Sequence, residues 1–269
     1  MNSLEYLAAN NPAWSYISTV DPEAIQTKCQ PCGIDGAPTR EYALKIELVA
    51  AKRIQVCEDP QHALLPACCV ERHINPNSSF CLFLNSTAQI YDHDQANEWW
   101  GALRWFLARQ DYASKRRLWP VDGGLCHGDA AEVQLAMESL TLPDGWLEEI
   151  RYSIFRHSGW LAGTLPRLTK DKSRVVNVRD PCPRGCKRKH HPLQKKSCDV
   201  QLCIDGCHRQ HKNILRAECP NRSIIERLVI LEHERRRREK KFIQDLIATG
   251  VKCCNTMKYC PLRDSFSNG

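Results

Sequence analysis

The pattern of apolar and polar positions predicts strands early in the chain. Residues 43–56 alternate between apolar and polar side chains and are rich in β-branched residues, which favours a hairpin or two short strands. A third strand is expected over residues 63–70. The opening residues up to about Trp14 fit a short helix, and residues 21–39, interrupted by Pro and Gly, are expected to form a loop.

Helical periodicity dominates the following part of the chain. Residues 97–112 carry apolar side chains at helical spacing, and this helix should end before Trp119 and Pro120. Two further helices are predicted, over residues 130–142 and 143–156, the second opening with a proline suited to a first helical turn. Strands followed by helices predict an α+β fold for this half.

A long helix is predicted near the C-terminus, over residues 223–249. Ser223 and Glu226 form the pattern of a capping box, and Gly250 would stop the helix. Its middle, with arginines at 235–238, is polar all round, so the helix is expected to project from a small apolar base. The arginines are either a solvated face or a contact surface for an anionic partner.

Charge divides the chain of 269 residues into two parts. Residues 1–170 hold 15 Lys and Arg against 20 Asp and Glu, a net charge of −5, whereas residues 171–269 hold 23 against 11, a net charge of +12. With the change in composition near Leu168, this predicts one domain at 1–168 and a second, basic one at 169–269. The basic part suggests an anionic partner, with nucleic acid as one option, or a contact with the acidic half.

Location follows from what the sequence lacks. No stretch approaches the roughly 18 apolar residues of a membrane helix, and the N-terminus has no signal-peptide pattern, so a cytoplasmic protein without membrane contact is expected. In that compartment thiols stay reduced, so the 16 cysteines point to metal binding or catalysis rather than disulfides.

Nine of the cysteines crowd between Cys182 and Cys260, and they contain a repeat. The pattern C-x3-C-x3-H-x7-C occurs twice, displaced by 21 positions. Three thiolates and one imidazole form a closed structural zinc site. The sequence therefore predicts a small zinc-binding module with two structural zinc ions, whose free energy of binding would fold the segment. The predicted ligands are Cys182, Cys186, His190, Cys198, Cys203, Cys207, His211 and Cys219.

The assignment of ligands to ions stays open, since sequential and cross-braced pairing use the same residues. His191 and His208 are close enough to replace their neighbours as ligands. Redox cysteines or a metal-free helical segment are the alternatives to zinc. A third site is also open, built from Cys253, Cys254 and Cys260 together with the C-x2-C pair at Cys29 and Cys32.

One cysteine outside the cluster lies where an irregular loop enters an apolar run. This segment, HINPNSSFCLFL at residues 73–84 with Cys81 inside it, resembles the active-site segment of ubiquitin-conjugating enzymes. Downstream, EWWGALRWFLARQDYASKRRLWP resembles the helix and Trp-Pro ending of prokaryotic ubiquitin-conjugating-like proteins from bacterial antiphage operons, which include cyclic-oligonucleotide (CBASS) systems. The likeness covers about residues 40–125.

The resemblance implies a ubiquitin-conjugating-like fold, in which an antiparallel meander and helices precede the zinc module and the long helix. It implies that Cys81 accepts the C-terminus of a ubiquitin-like protein from an activating enzyme and passes it to a target amine. The target would be a protein, and a nucleotide-cyclising defence enzyme is one option. Antiviral defence would be the setting.

The resemblance also implies further site residues. Asn75 and Asn77 belong to the active-site loop, and His73 stands where the family has the asparagine proposed to stabilise an oxyanion. His73 would donate to that oxyanion, lower the pKa of Cys81, or simply bond to loop backbone. Asp92 and Asp94, with His93 between them, either orient and deprotonate the attacking lysine or cap the next helix.

Two other functions compete with the conjugating enzyme. The basic tail would suit a zinc-dependent nucleic-acid-binding protein, although aromatic residues for base stacking are nearly absent from the repeats. The replacement at His73 also leaves open a catalytically inactive conjugating fold that serves as a scaffold.

Overall fold

The computed structural model describes residues 2–49, 53–83, 89–176 and 221–263. The chain forms two compact units, residues 1–120 with 243–269 and residues 121–242. These units do not follow the predicted boundary near residue 168, because the last residues of the chain join the first unit. The division into independently folding domains at that position stays a prediction.

Four antiparallel strands form one sheet in the first unit, and neighbours along the chain are neighbours in the sheet. They are β1 (Ser15–Val20), β2 (Ala24–Cys29), β3 (Tyr42–Val49) and β4 (Arg53–Glu58). Ile25, Ile46 and Val56 are paired across three strands and are all buried. The hairpin predicted over residues 43–56 is confirmed, and so is the antiparallel meander of an α+β fold.

The loop expected over residues 21–39 is wrong in its first part, because that stretch contains β2. This strand pairs along its whole length with β1 on one side and β3 on the other. Asp21 and Pro22 form the turn before it, where the Asp21 carboxylate accepts the Ala24 N–H at 2.8 Å. The proline therefore marks the end of a strand, and backbone pairing on both sides outweighs the local turn signal.

The third strand expected over residues 63–70 is also wrong. This stretch is irregular and lies between short 3-10 helices at Pro60–His62 and Val70–Arg72. The Glu58 carboxylate accepts the backbone N–H of Leu65 at 2.7 Å and also that of Leu64. A side chain thus satisfies backbone groups that a neighbouring strand would otherwise bind.

Two helices complete the first unit. Helix α1 (Ser3–Ala9) packs against β2, β3 and helix α2 (His93–Arg116). The Trp100 indole N–H donates to the Leu7 carbonyl at 3.0 Å, which joins the two helices. The predicted helix over residues 97–112 is confirmed with about a turn added at each end, and it stops before Trp119 as expected. Its apolar face is buried as the spacing predicted.

The second unit is mainly helical over its described residues, 121–176 and 221–242. It contains α3 (Ala130–Glu138), α4 (Trp146–Phe155) and most of α5 (Arg222–Ala248). These helices confirm the three predicted over residues 130–142, 143–156 and 223–249, with the first two shorter than predicted. Their shared core includes the fully buried side chains of Ile150, Leu161 and Leu228.

One arginine of the run on α5 is buried, whereas the middle of this helix was expected to project into solvent. Arg235 is only 5% exposed, and its guanidinium contacts the buried Glu232 carboxylate at 2.7 Å as well as Glu239. The other three arginines also pair with carboxylates of the same helix, Arg236 with Glu232, and both Arg237 and Arg238 with Glu234. Pairs three or four residues apart therefore balance the charge of the run.

None of the helices within the described ranges is long and apolar enough to cross a membrane. The cytoplasmic location stays a prediction.

Candidate active site

The loop that leads to Cys81 begins with a turn closed by two backbone hydrogen bonds. The Cys69 N–H donates to the Ile74 carbonyl, and the Ile74 N–H donates back to Cys69, each at 3.0 Å. His73 takes a left-handed conformation with φ 54° at the end of the 3-10 helix, where it reverses the chain. The turn therefore holds residues 69 and 74 side by side.

The predicted site residues Asn75 and Asn77 order the next part of the loop. The Asn75 N–H donates to the Ser79 carbonyl at 2.8 Å, and the Asn75 amide donates to the Ser79 hydroxyl at 3.0 Å. The side-chain oxygen of Asn77 accepts that hydroxyl at 2.7 Å, and its side-chain N–H donates to Gln55 of β4 at 3.3 Å. Asn75 thus acts within the loop, whereas Asn77 also joins the loop to the sheet.

Backbone bonds on both sides hold Cys81 at the end of this loop. The Phe80 N–H donates to Val56 of β4, and the Cys81 N–H donates to the His73 carbonyl, each at 2.8 Å. The Cys81 side chain is exposed, and its thiol lies 3.8 Å from the Phe83 carbonyl. Partial exclusion of water by the surrounding protein raises the pKa of the Cys81 thiol above its ordinary value.

Cys81 opens into a cleft of about 430 Å³ between the loop, the end of β3 and β4. Trp99 of α2 also lines the cleft. Its other walls include the two site asparagines and apolar side chains, among them Asn75, Asn77, Val49, Ile54, Val56 and Leu82. An exposed thiol beside such a cleft can be approached by an extended chain end.

His73 positions Cys81 through its backbone. Its carbonyl accepts the Cys81 N–H, and its ring packs on Trp119 with the ring centroids 5.1 Å apart. This bond uses the His73 backbone, and a bond from the imidazole to loop backbone stays a prediction. The action of the imidazole on an oxyanion or on the Cys81 thiol stays a prediction.

Asp92 caps helix α2, which is one of the two roles predicted for it. Its carboxylate accepts the Gln95 N–H at 2.8 Å, and Asp94 lies in the first turn of the same helix. His93 contacts Asn10 at 2.8 Å and the Tyr6 ring edge-on. Participation of Asp92 and Asp94 in lysine deprotonation stays a prediction.

A buried arginine that sequence analysis missed ties the loop to α2. Arg72 is 3% exposed, and its guanidinium donates to the Gln110 side-chain oxygen at 2.7 Å and to the Ser114 hydroxyl at 2.7 Å. The Gln110 amide donates back to the Arg72 carbonyl at 2.6 Å. The sequence signal for this contact was Gln110, a polar residue that lies on the apolar face of α2 together with Leu103 and Phe106.

The eight predicted zinc ligands of the repeat lie outside the residues that the structure describes, so their geometry stays a prediction. The ligand set suggested for a third site does fall within the described ranges. There, no group of three or more His, Cys, Asp or Glu side chains is arranged to hold a metal ion. Cys29 is buried against Ser15 and Thr27, whereas Cys32 is exposed. The third zinc site stays a prediction.

Comparison with known proteins matches two family models to this chain. The prokaryotic E2 domain matches residues 18–121, which span the sheet, the Cys81 loop and α2. The cysteine-rich domain that lies C-terminal to the E2 domain matches residues 199–262. Searches of curated proteins and of solved structures found no match. The chain therefore contains a prokaryotic E2 domain, followed by the cysteine-rich domain that lies C-terminal to such domains.

Proposed function

We propose that the protein is a ubiquitin-conjugating-like enzyme that carries a ubiquitin-like protein as a thioester on Cys81. The observation that carries this proposal is the exposed Cys81 thiol, held beside a cleft by the bond from its N–H to His73 within an E2 domain. Other thiols of this unit lie deeper or away from the cleft, as Cys29 and Cys69 do. Cys81 therefore combines exposure, a fixed backbone and a cleft for the modifier.

The proposed chemistry is two acyl transfers. The Cys81 thiolate attacks the thioester between the modifier and an activating enzyme, so the activating enzyme leaves as its thiolate. An amine of the target protein then attacks the Cys81 thioester, loses a proton, and releases the Cys81 thiolate. Because the pKa of the Cys81 thiol is raised, little thiolate exists at neutral pH, and the first step needs a proton acceptor.

Site residues near the loop take defined roles in this proposal. The His73 imidazole accepts the Cys81 proton or donates to the oxyanion of the tetrahedral intermediate. Asn75 and Asn77 hold the loop rigid, which keeps the thioester in one orientation. Asp92 and Asp94 orient the attacking amine and accept its proton.

The cysteine-rich domain supplies a partner surface in this proposal. The eight ligands of the repeat would hold two structural zinc ions. The four ligands of the second repeat lie within the matched cysteine-rich domain, which is compatible with zinc binding. The folded module would bind the ubiquitin-like protein, the activating enzyme or the protein target. Action on a nucleotide-cyclising enzyme would place the reaction in antiphage defence.

The test is formation of a thioester in a purified system. The chain, a cognate ubiquitin-like protein, its activating enzyme and ATP are mixed, and the products are separated without reductant. We expect an adduct that reductant removes, that is absent from Cys81→Ala, and that becomes a reductant-resistant ester in Cys81→Ser. Cys32→Ala, which removes another exposed thiol of the same unit, is the matched control and should keep the adduct. An adduct that persists in Cys81→Ala would overturn the proposal.

A further inference from the structure

The end of the chain packs into the first unit. Met257 and Leu262 are each 1% exposed. The Lys258 N–H donates to the Arg117 carbonyl at 2.8 Å, and the Arg117 guanidinium donates to the Asn255 carbonyl at 3.2 Å. This segment, residues 253–263, is called the return segment below. Nearly all of it belongs to the matched cysteine-rich domain, and it joins the unit that also contains Cys81.

The return segment brings three thiols to a fourth at the start of the Cys81 loop. The sulfur of Cys254 lies 2.8 Å from that of Cys69, although the two residues are 185 positions apart. The Cys260 thiol hydrogen-bonds both Cys254 and Cys253, so the four thiols form one continuous group, called the thiol cluster below. Cys69 and Cys260 are buried, whereas Cys253 and Cys254 are half-buried.

Polar groups of the return segment also point at the sulfurs. Asn255 takes a left-handed conformation with φ 58°, and its N–H donates to the Cys253 sulfur at 3.4 Å. The Thr256 hydroxyl lies 3.2 Å from the Cys254 sulfur. Hydrogen bonds of this kind orient metal-bound side chains in proteins. The two half-buried thiols therefore have the outer contacts that thiolate ligands need.

Four thiols are also the right number for one metal ion. Four thiolates form a closed tetrahedral zinc site of the structural type. A disulfide would use only two of the four and leave the others in contact. The described residues 251–263 contain neither helix nor strand, so few backbone bonds hold the return segment in place. Metal binding supplies folding free energy to segments of this kind.

We propose that the thiol cluster binds one structural zinc ion, with four ligands from two distant parts of the chain, Cys69, Cys253, Cys254 and Cys260. Each thiol gives its proton to solvent when the zinc ion binds. Cys69 takes the place of the C-x2-C pair that spacing suggested for a third site. Cys29 of that pair packs against Ser15 and Thr27 instead.

The zinc ion itself would complete the geometry of the site. Two sulfurs that share a tetrahedral zinc ion, with bonds of about 2.3 Å, lie roughly 3.8 Å apart. The Cys69 and Cys254 sulfurs are 2.8 Å apart, so they must separate by about 1 Å on binding. This agrees with the lack of a preformed three-ligand group among the residues that the structure describes.

The site would fasten the cysteine-rich domain to the active-site loop. Cys69 exchanges two backbone hydrogen bonds with Ile74, and the carbonyl of the intervening His73 accepts the Cys81 N–H. A metal bond to Cys69 would therefore hold the start of the loop that carries Cys81. Zinc binding at this site needs no conjugation partner, so its test is independent of the thioester chemistry proposed above.

Counting zinc ions on the full-length chain tests the site. The chain is purified in the presence of zinc and a phosphine reductant, and the ions per chain are counted by native mass spectrometry. We expect Cys69→Ser and Cys254→Ser each to carry one zinc ion fewer than the unchanged chain. Because the readout is a difference, ions bound elsewhere do not affect it. Cys32→Ser and Cys57→Ser, which change other thiols of the same unit, are the matched controls and should keep the full count.

Alkylation of the unchanged chain gives a second measurement that no variant can disturb. N-ethylmaleimide should modify Cys253 and Cys254, followed in tryptic peptide 253–258, more than about tenfold faster after a zinc chelator is added. If Cys69→Ser does not fold by circular dichroism, Cys254→Ser and this measurement carry the test. An unchanged zinc count in the folded variants would overturn the proposal. So would alkylation that is equally fast with and without the chelator, or the loss of a zinc ion in Cys32→Ser.

Discussion

Both units of the molecule bury an arginine, and the two are held in different ways. In the first unit, Arg72 binds the Gln110 side chain and the Ser114 hydroxyl, which are neutral groups. In the second unit, Arg235 binds the carboxylates of Glu232 and Glu239. The first arginine joins the active-site loop to α2, whereas the second joins successive turns of one helix.

The pKa values of the two arginines move in opposite directions. Burial lowers the pKa of Arg72, because its hydrogen-bond partners carry no opposing charge. Burial also opposes the charge on Arg235, but the bonds to Glu232 and the nearby Glu239 outweigh it and raise its pKa. The comparison shows two ways to stabilise a buried guanidinium. Well-placed neutral hydrogen-bond acceptors hold Arg72, whereas carboxylates hold Arg235.

The largest expected effect comes from removing a counter-ion in the second unit. Glu232→Gln keeps the volume of the side chain but removes one of the two negative charges that balance the buried Arg235 guanidinium. We expect the free energy of unfolding to fall by about 3–5 kcal/mol in urea denaturation followed by circular dichroism.

The matched control lies on the same helix. Glu234→Gln removes the partner of Arg237, whose side chain is 56% exposed, and should cost less than about 1 kcal/mol. Equal losses in the two variants would contradict the assignment of Arg235 and Glu232 as a buried pair.

A smaller loss is expected at the active-site loop. Arg72→Met preserves the apolar stem but leaves the side-chain oxygen of the fully buried Gln110 without its donor. We expect the free energy of unfolding to fall by about 2–3 kcal/mol. Arg104→Met changes an exposed arginine of α2, the helix that contains Gln110. Its free energy of unfolding should stay within about 0.5 kcal/mol of that of the unchanged chain. No difference between these variants would show that Arg72 does not hold the loop.

The reactivity of Cys81 tests whether a positive charge, such as that of Arg72, stabilises the Cys81 thiolate. Because the Cys81 pKa is raised, the thiolate fraction should keep growing as pH rises beyond the ordinary thiol pKa of about 8.5. Alkylation by iodoacetamide should therefore accelerate about tenfold per pH unit through neutral pH and show no plateau at pH 8.5. Site-resolved mass spectrometry measures this rate, with Cys81→Ser as the blank. A plateau below pH 8 would mean that a positive charge stabilises the thiolate.

The smallest expected effect separates capping from catalysis at Asp92. Asp92→Ala removes the acceptor of the Gln95 N–H and should lower the free energy of unfolding by about 1 kcal/mol, whereas Asp92→Asn can still cap. If Asp92 also orients the attacking amine, Asp92→Asn should slow transfer from a preformed Cys81 thioester to free lysine and keep the stability. Unchanged transfer in Asp92→Asn would leave the residue with the capping role alone.

Sequence patterns predicted the elements that depend on local periodicity. The hairpin of β3 and β4, the helix α2 and the helix α5 all follow from apolar spacing that repeats over several turns or strand residues. The two strand errors arose where the hydrogen-bond partner of the backbone decides the structure. Strand β2 is held by partners on both sides, and the stretch after Glu58 is held by that carboxylate.

The candidate site was predictable in part for the same reason. A resemblance in a contiguous segment identified Cys81, Asn75 and Asn77, since the loop residues are adjacent in sequence. The buried Arg72 was missed because its partner on α2 lies 38 positions away. The arginines of α5 were predicted to be either a solvated face or a contact surface, because sequence spacing does not show which arginine faces a core.

By itself, the sequence determined the α+β order of elements, the cysteine of the candidate active-site loop, and the repeat of potential metal ligands. These features depend on short segments, in which the periodicity and spacing of nearby residues can be seen in the sequence. Only the tertiary structure decided that Cys81 faces a cleft, that Arg235 is buried, and that Cys254 meets Cys69. Burial and contact between distant residues are set by packing of the whole unit, because they depend on which surfaces meet once every element is in place.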